Sequence, residues 1–263
     1  RRTVVLISVD GMRPDAMTAC DAPVLHRLMA EGAATLSART VMPSVSLPCH
    51  TSMLRGVDVP RHGITTNTFM PLARPVPSLM DAARAAGLRV GTFYNWGELR
   101  DLAEPRSPDV AYGLRDVTSS RSDEQIALAV EEHLATWEFD FLFVYFGWTD
   151  MAGHNHGWMS RPYLDAVENA DRCIGTVVAA VKAQGRDPVV LVLADHGGHQ
   201  RAHGLDIPED MTIPWILCGP GVKRGHVIRS PVMIYDTCPT LASLLGVPRA
   251  KEWDGRVIDE ALV

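Results

Sequence analysis

Three aspartates, Asp10, Asp150 and Asp195, each stand at or just beyond the end of an apolar run. The run Thr3–Val9 ends in Asp10-Gly11. Residues 188–194 end in Asp195-His196-Gly197-Gly198. Residues 139–147 lead into Trp148-Thr149-Asp150, with His154 four residues later. One such Asp is commonly an Asx-turn or loop cap, and a lone His is more often a surface or core residue than a ligand. Three junctions with His154, His196 and His203 around them are harder to explain by capping. Carboxylate and imidazole together form a donor set suited to Zn2+ or Mn2+, so the cluster predicts a metal site.

A second candidate lies in VMPSVSLPCHTSMLRGVDVPRHGITTN, residues 41–67. Pro48 is favoured in a first helical turn, which places a helix over 48–54 with Ser46 at its start. Free amides at a helix N-terminus suit a phosphate. A hydroxyl there becomes a nucleophile once a metal lowers its pKa. Ser44 or Ser46 could equally cap this helix, and local features leave both readings open.

The elements that must position these residues alternate. Helical patterns cover 22–31, 77–86, 123–137 and 161–184, the first two ended by Gly32 and Gly87. Strand-like runs are TVVLISV, LRVGTFY, DFLFVYF, PVVLVLA and TIPWILCG, and DTCPTLASLLG reads as a short helix. Helices between uninterrupted Val/Ile/Leu runs predict an α/β fold with a largely parallel central sheet covered on both faces. In such sheets, sites collect beyond the carboxyl ends of the strands. Residues 103–122 are the most polar irregular stretch and read as a surface excursion. No repeat or linker divides residues 1–263, so one catalytic domain without a cap or large insertion is expected.

Bulk properties narrow the function. The chain has 263 residues, 46% hydrophobic and 21% charged, with a net charge of −6. That balance argues against a nucleic-acid polymer as partner, because phosphate backbones are held by excess Lys and Arg. It leaves small phosphate esters open, since bound metals supply positive charge locally. No apolar run approaches the ~20 residues of a membrane span. Five scattered cysteines without CxxC spacing give no disulfide framework. With no signal-peptide pattern ahead of the first strand, the expectation leans to the cytoplasm.

The motifs VVLISVDGMRPD, PSVSLPCHTSMLRGVDVPRHGITTN, TDMAGHNHG, LADHGGH and AHG, in this order, resemble the type I phosphodiesterase/nucleotide pyrophosphatase family of the alkaline phosphatase superfamily. The likeness runs from residue 3 to WDGR at 253–256. It implies an alkaline-phosphatase-like fold and two divalent metals, Zn2+ by preference, with Mn2+ possible. One metal would be held by Asp10, Ser46, Asp195 and His196, the other by Asp150, His154 and His203. Ser46 falls at the family's nucleophile and Asn67 at the asparagine that holds a non-bridging phosphoryl oxygen. An amide N–H there stabilises charge growing on equatorial oxygens.

Three features depart from the family pattern. Cys49 stands where family phosphodiesterases usually carry Asn. Only six residues separate His196 from His203, where larger nucleotide-hydrolysing relatives have a long insertion. His199 competes with His203, although Gly204 completes the family's His-Gly pair after His203. His62 reads as structural, His156 as solvent-facing or just behind the ligands, His26 and His133 as surface residues, and Trp148 and Trp158 as packing under the loop, with a site-lining role for one of them as the alternative.

The predicted activity is hydrolysis of phosphate esters through a covalent Ser46 intermediate, diesters first, because no Arg flanks Ser46 and the nearest downstream is Arg55. Alternatives are a phosphomonoesterase or a promiscuous phosphonate or sulfate ester hydrolase. A sulfatase would need Arg where His50 stands. A phosphomutase would need a cap domain for which 263 residues leave no room. The non-enzyme alternative is a metal- or phosphate-binding protein without turnover.

Overall fold

A computed structural model describes residues 2–115 and 117–263. Its strands are β1 (Val4–Val9), β2 (Ala33–Arg39), β3 (Val90–Tyr94), β4 (Val110–Gly113), β5 (Phe141–Phe146), β6 (Val189–Leu193), β7 (Thr212–Cys218) and β8 (His226–Val227). They form one eight-stranded sheet in the order β4-β3-β5-β1-β6-β7-β2-β8. Strands β4, β3, β5, β1 and β6 are parallel neighbours. Strand β7 runs against both β6 and β2. The sheet is thus largely parallel, with one reversed strand that an apolar run alone does not reveal.

The helices are α1 (Pro14–Ala19), α2 (Pro23–Glu31), α3 (Ser46–Arg55), α4 (Val59–His62) and α5 (Leu79–Ala85). They continue with α6 (Ser120–Leu134), α7 (Trp148–His156), α8 (Arg161–Ala183), α9 (Pro208–Met211) and α10 (Thr237–Leu245). Helices α1, α2, α6 and α7 pack on α8 along one face, while α3, α5 and α10 pack together on the other. Every residue of β1, β5 and β6 is buried, as strands covered on both faces require. Helix α8 turns Tyr163, Val167, Ala170, Ile174, Val177 and Val181 inward at helical spacing. Its start is fixed by Ser160, which accepts the Tyr163 amide. No helix among the described residues is long and apolar enough to cross a membrane.

The polar stretch 103–122 is less irregular than its composition suggests. It holds edge strand β4 and the first turn of α6, while Asp116 lies outside the described residues. The carboxyl ends of β1, β5 and β6 share one rim, and each leads directly into one of the three aspartates.

Candidate active site

Strand β1 delivers Asp10, β6 delivers Asp195 and His196, and β5 runs through Gly147 into α7, which carries Asp150 and His154 at i, i+4. The loop after β6 brings back His203. The side chains converge: His196 Nε2 lies 3.3 Å from Asp10 Oδ1 and 3.3 Å from Asp195 Oδ2. His154 Nε2 is 3.3 Å from Asp150 Oδ2, and His203 Nε2 is 3.7 Å from Asp150 Oδ1. The His196 and His203 rings stack at 3.9 Å. Two groups of donor atoms are close enough to hold a cation: Asp150, His154 and His203, and Asp10, Asp150 and His196.

The hydrogen bonds leave the expected donor atoms free. Asp10 Oδ1, Asp150 Oδ1 and Asp195 Oδ2 are buried without a hydrogen-bond partner among the described residues, a costly state for a carboxylate unless a cation pairs with it. Each clustered imidazole turns Nδ1 to a backbone carbonyl: His154 to Arg201 at 2.9 Å, His196 to Gly197 at 2.8 Å and His203 to Ser44 at 2.8 Å. That bond fixes the tautomer and aims the Nε2 lone pair into the cluster, as in metal-bound histidines. The donors present therefore fit divalent cations.

Electrostatics agree. Burial, with the charges of Asp195 and Asp150, pushes the Asp10 carboxyl well above the usual carboxylate range. Burial also acts to raise Asp150, but the His154 hydrogen bond and the neighbouring imidazoles outweigh it and its pKa is lowered. Burial and the nearby His196 bring the His203 imidazole down to about 4, so it stands neutral with its lone pair available.

Ser46 is the first residue of α3, two residues earlier than Pro48 suggests. Neither serine caps that helix. Val45 is the N-cap without a side-chain bond, Ser44 Oγ donates to the Leu205 carbonyl at 3.1 Å, and Ser46 Oγ lies 3.2 Å from His196 Nε2. The helix end is also a poorer phosphate cradle than expected. The Leu47 amide donates to Asn67 Oδ1 at 2.9 Å, and Pro48 has no N–H. The same bond sets Asn67 beside the start of α3, with its amide nitrogen uncommitted to Leu47.

Other histidines and the odd cysteine lie elsewhere. His199 Nδ1 pairs with buried Asp210 at 2.7 Å, which ties the loop down and leaves His203 beside Asp150. Cys49 is buried and accepts from Thr40 Oγ1 at 3.1 Å. His62 is buried between Ser52 Oγ and the Ile64 amide. Trp158 packs under the site, donating to the Gly11 carbonyl at 2.9 Å with its ring edge-on to His154. A Cβ on Gly198 would fall 2.1 Å from the Trp158 ring, which explains a glycine at that place in HGGH.

Two residues near the cluster carry no sequence signal. His50, fully buried, turns Nδ1 to the Ser46 carbonyl at 2.7 Å and Nε2 to Ser8 Oγ at 2.8 Å. Both nitrogens are spent, so it braces the backbone of Ser46. Tyr145 Oη donates to Asp10 Oδ2, leaving Oδ1 to face His196.

A family model for type I phosphodiesterase/nucleotide pyrophosphatase matches residues 4–204. The chain belongs to this family. The matched region holds every candidate ligand and Asn67, while WDGR at 253–256 lies outside it. In the structure the WDGR segment is architectural, with Trp253 Nε1 donating to the Pro77 carbonyl at 2.8 Å. The 2,3-bisphosphoglycerate-independent phosphoglycerate mutase of Desulforudis audaxviator is 34% identical over 174 residues, covering 62% of this chain and 32% of the mutase. The chain thus spans about a third of the length of the curated relatives it matches. Murine ectonucleotide pyrophosphatase/phosphodiesterase 5, as an inactive variant in complex with AMP, superposes with a TM-score of 0.84 at 15% identity over 100% of both chains. The phosphonate monoester hydrolase of Silicibacter pomeroyi gives 0.76 at 18% identity over 98% of this chain and 76% of its own. At these identities the solved structures establish the fold, which is alkaline-phosphatase-like. Family and fold agree, since the type I phosphodiesterase/nucleotide pyrophosphatase match and the alkaline-phosphatase-like fold cover the same strands and candidate ligands.

Proposed function

We propose that the protein hydrolyses small phosphate esters, phosphodiesters above all, through a covalent Ser46 intermediate and with two divalent cations, Zn2+ or Mn2+. The observation that carries this reading is the set of three buried carboxylate oxygens, without hydrogen-bond partners among the described residues, beside the Nε2 atoms of His154, His196 and His203, with Ser46 Oγ 3.2 Å from His196 Nε2. Asp10, Ser46, Asp195 and His196 would hold one cation, and Asp150, His154 and His203 the other, all within one catalytic domain without a cap. When bound, the cations neutralise phosphoryl charge and activate hydroxyl groups at neutral pH.

The chain's own residues then divide the work. Ser46 Oγ attacks phosphorus as the bond to the leaving alcohol breaks. Water later displaces Ser46 and releases the phosphate product. His50 holds the Ser46 backbone, and the Asn67 amide is placed to donate to a non-bridging oxygen in the crowded transition state. His154 is more open to solvent than fully buried His196, which suits entry of water and departure of the alcohol on that side.

Diester preference is supported by where the arginines are spent. Arg55 is buried and donates to the Val76 and Leu102 carbonyls, and Arg13 is taken by Asp15 and the Gly198 carbonyl. Neither is free to meet the second charge of a monoester. The mutase relatives favour a second reading, in which Ser46 passes its phosphoryl group to another alcohol.

The test is turnover of the para-nitrophenyl phosphate diester, the monoester and the sulfate by Zn2+-loaded protein, with Ser46→Ala alongside and glycerol as an added acceptor. The expected result is fastest release from the diester, loss of roughly a thousandfold or more in Ser46→Ala, and no glycerol phosphate. A faster monoester would overturn the diester preference. An unaffected variant would overturn the nucleophile, and phosphoryl transfer to glycerol would favour the second reading.

A further inference from the structure

Outside the ligand cluster, Asp123 is an expensive buried group. It lies early in α6, fully buried, and burial pushes its carboxyl up to about 7. Its Oδ1 accepts from Asn95 Nδ2 at 2.7 Å, the Gly147 amide at 3.1 Å and the Trp148 amide at 3.2 Å. Its Oδ2 has no hydrogen-bond partner among the described residues. Asn95, equally buried, accepts the Gly147 amide at 3.0 Å and donates to Ser122 Oγ at 3.2 Å. A carboxylate kept out of water with one oxygen unpaired works against folding, and an apolar residue of similar size would pack without that cost.

What the pair grips is the junction where β5 becomes α7. Gly147 is the N-cap of α7 and Trp148 its first residue. Amides there have no partner within the helix, and a carboxylate is favoured beside them by the helix dipole. Asp150 sits in the same first turn and His154 one turn on, so fraying at Gly147 would displace both. The junction is also tight. A Cβ on Gly147 would stand 2.7 Å from Val117 Cγ2 and 2.9 Å from Tyr145 Cε1, so little else can occupy it.

We propose that Asp123 and Asn95 form a clamp on the start of α7 that positions Asp150 and His154, and so sets the cation affinity of the Asp150–His154–His203 group. The inference rests on the two-cation function above. Neither residue touches substrate or cation, and both act through the backbone of 147–148. Removing partners one layer behind metal ligands costs roughly 10–100-fold in affinity. Asp123 lies further out, so a loss near the lower end, about tenfold, is expected at this group alone.

Two measurements on the whole protein test it. In the metal-free state, amide hydrogen exchange is compared for the wild type, Asp123→Ala and Asp123→Asn. Zn2+ is then titrated against a competing chelator, with His154→Ala marking which binding step belongs to the α7 group. The clamp predicts faster exchange confined to about residues 147–156 in Asp123→Ala, an about tenfold weakening of that one step, and near-complete rescue by Asp123→Asn, which keeps an acceptor oxygen. If Asp123→Ala does not fold, Asn95→Ala carries the same prediction. Exchange that is unchanged, or raised across the whole sheet, overturns the clamp, as does equal weakening of both steps. A wild type that binds fewer than two ions overturns the two-cation function instead, and the metal-free exchange still decides the clamp.

Discussion

Neutralising one carboxylate of the Asp10–Asp150–Asp195 cluster should stabilise the metal-free protein, and Asp10→Asn is the sharpest case. The donor atoms of Asp10, Asp150 and His196 lie within 4.8 Å of one another. Like charges no more than 4.8 Å apart repel by roughly 3.5 kcal/mol or more at an effective dielectric near 20. The charge of Asp195 acts on Asp10 more strongly than that of Asp150. The protein can relieve part of the repulsion by taking up a proton, because the folded pKa of Asp10 is raised. For a carboxyl raised on folding, the folded state binds more protons than the unfolded one between the two pKa values. Stability of the metal-free protein is therefore lost as pH rises from the ordinary carboxyl value of 3.8 through the folded value.

Asn cannot ionise, but its oxygen can still accept from Tyr145. In excess chelator, Asp10→Asn should be more stable than the wild type by about 1–3 kcal/mol at pH 8, less than the full repulsion because proton uptake relieves part of it. The gain should shrink towards acid pH. With Zn2+ the order should reverse, since binding to the native state stabilises by mass action and the variant lacks a ligand. Urea denaturation with and without chelator reads both effects. A variant no more stable than the wild type at any pH in chelator would refute the reasoning.

Asn67→Ala should lower kcat by about a hundredfold with little change in metal content, the usual loss for one transition-state donor, and steady-state kinetics on the diester checks it. Gly198→Ala should destabilise by about 2 kcal/mol or more, because its Cβ would fall 2.1 Å from the Trp158 ring; urea midpoints read this directly. Burial first, then the charge of Arg55, lower the His62 pKa from 6.5 to about 4. The unfolded chain thus binds the extra proton first, and stability should fall as pH drops from 6.5 to about 4. His62→Gln should show a shallower fall across that window in denaturation curves at stepped pH.

Much of this was legible because the site is built at strand ends. β1, β5 and β6 are uninterrupted apolar runs, so Asp10, Asp150 and Asp195 could be placed on one rim without coordinates. Strand β2, AATLSAR, was not legible, because its residues are mostly small or polar and only Ala33–Thr35 and Ala38 are buried. Nor were β4 and β8, which are short edge strands. The direction of β7 depends on its partners rather than its own residues. Within the site, motif positions point to His154, His196, His203 and Asn67 as residues, but not to the Nε2 direction of the imidazoles or to the Asn67–Leu47 bond. His50, Tyr145 and Asp123 were invisible because their partners, Ser8, Asp10 and the 147–148 amides, are distant in sequence and any one of the three reads as an ordinary core polar residue. The serine-cap reading failed for a local reason: Val45 is extended, and Ser46 begins the helix with its hydroxyl turned to His196.

The central claim is that Ser46 becomes covalently attached to phosphorus. Zn2+-loaded protein should be mixed with excess para-nitrophenyl phosphate diester, quenched in acid within milliseconds, digested and mapped by mass spectrometry. The account predicts an adduct on the peptide carrying Ser46 that grows in with the burst of para-nitrophenol and is missing in Ser46→Ala. Full turnover with no adduct on Ser46, and a Ser46→Ala variant that still releases para-nitrophenol at the wild-type rate, would contradict it.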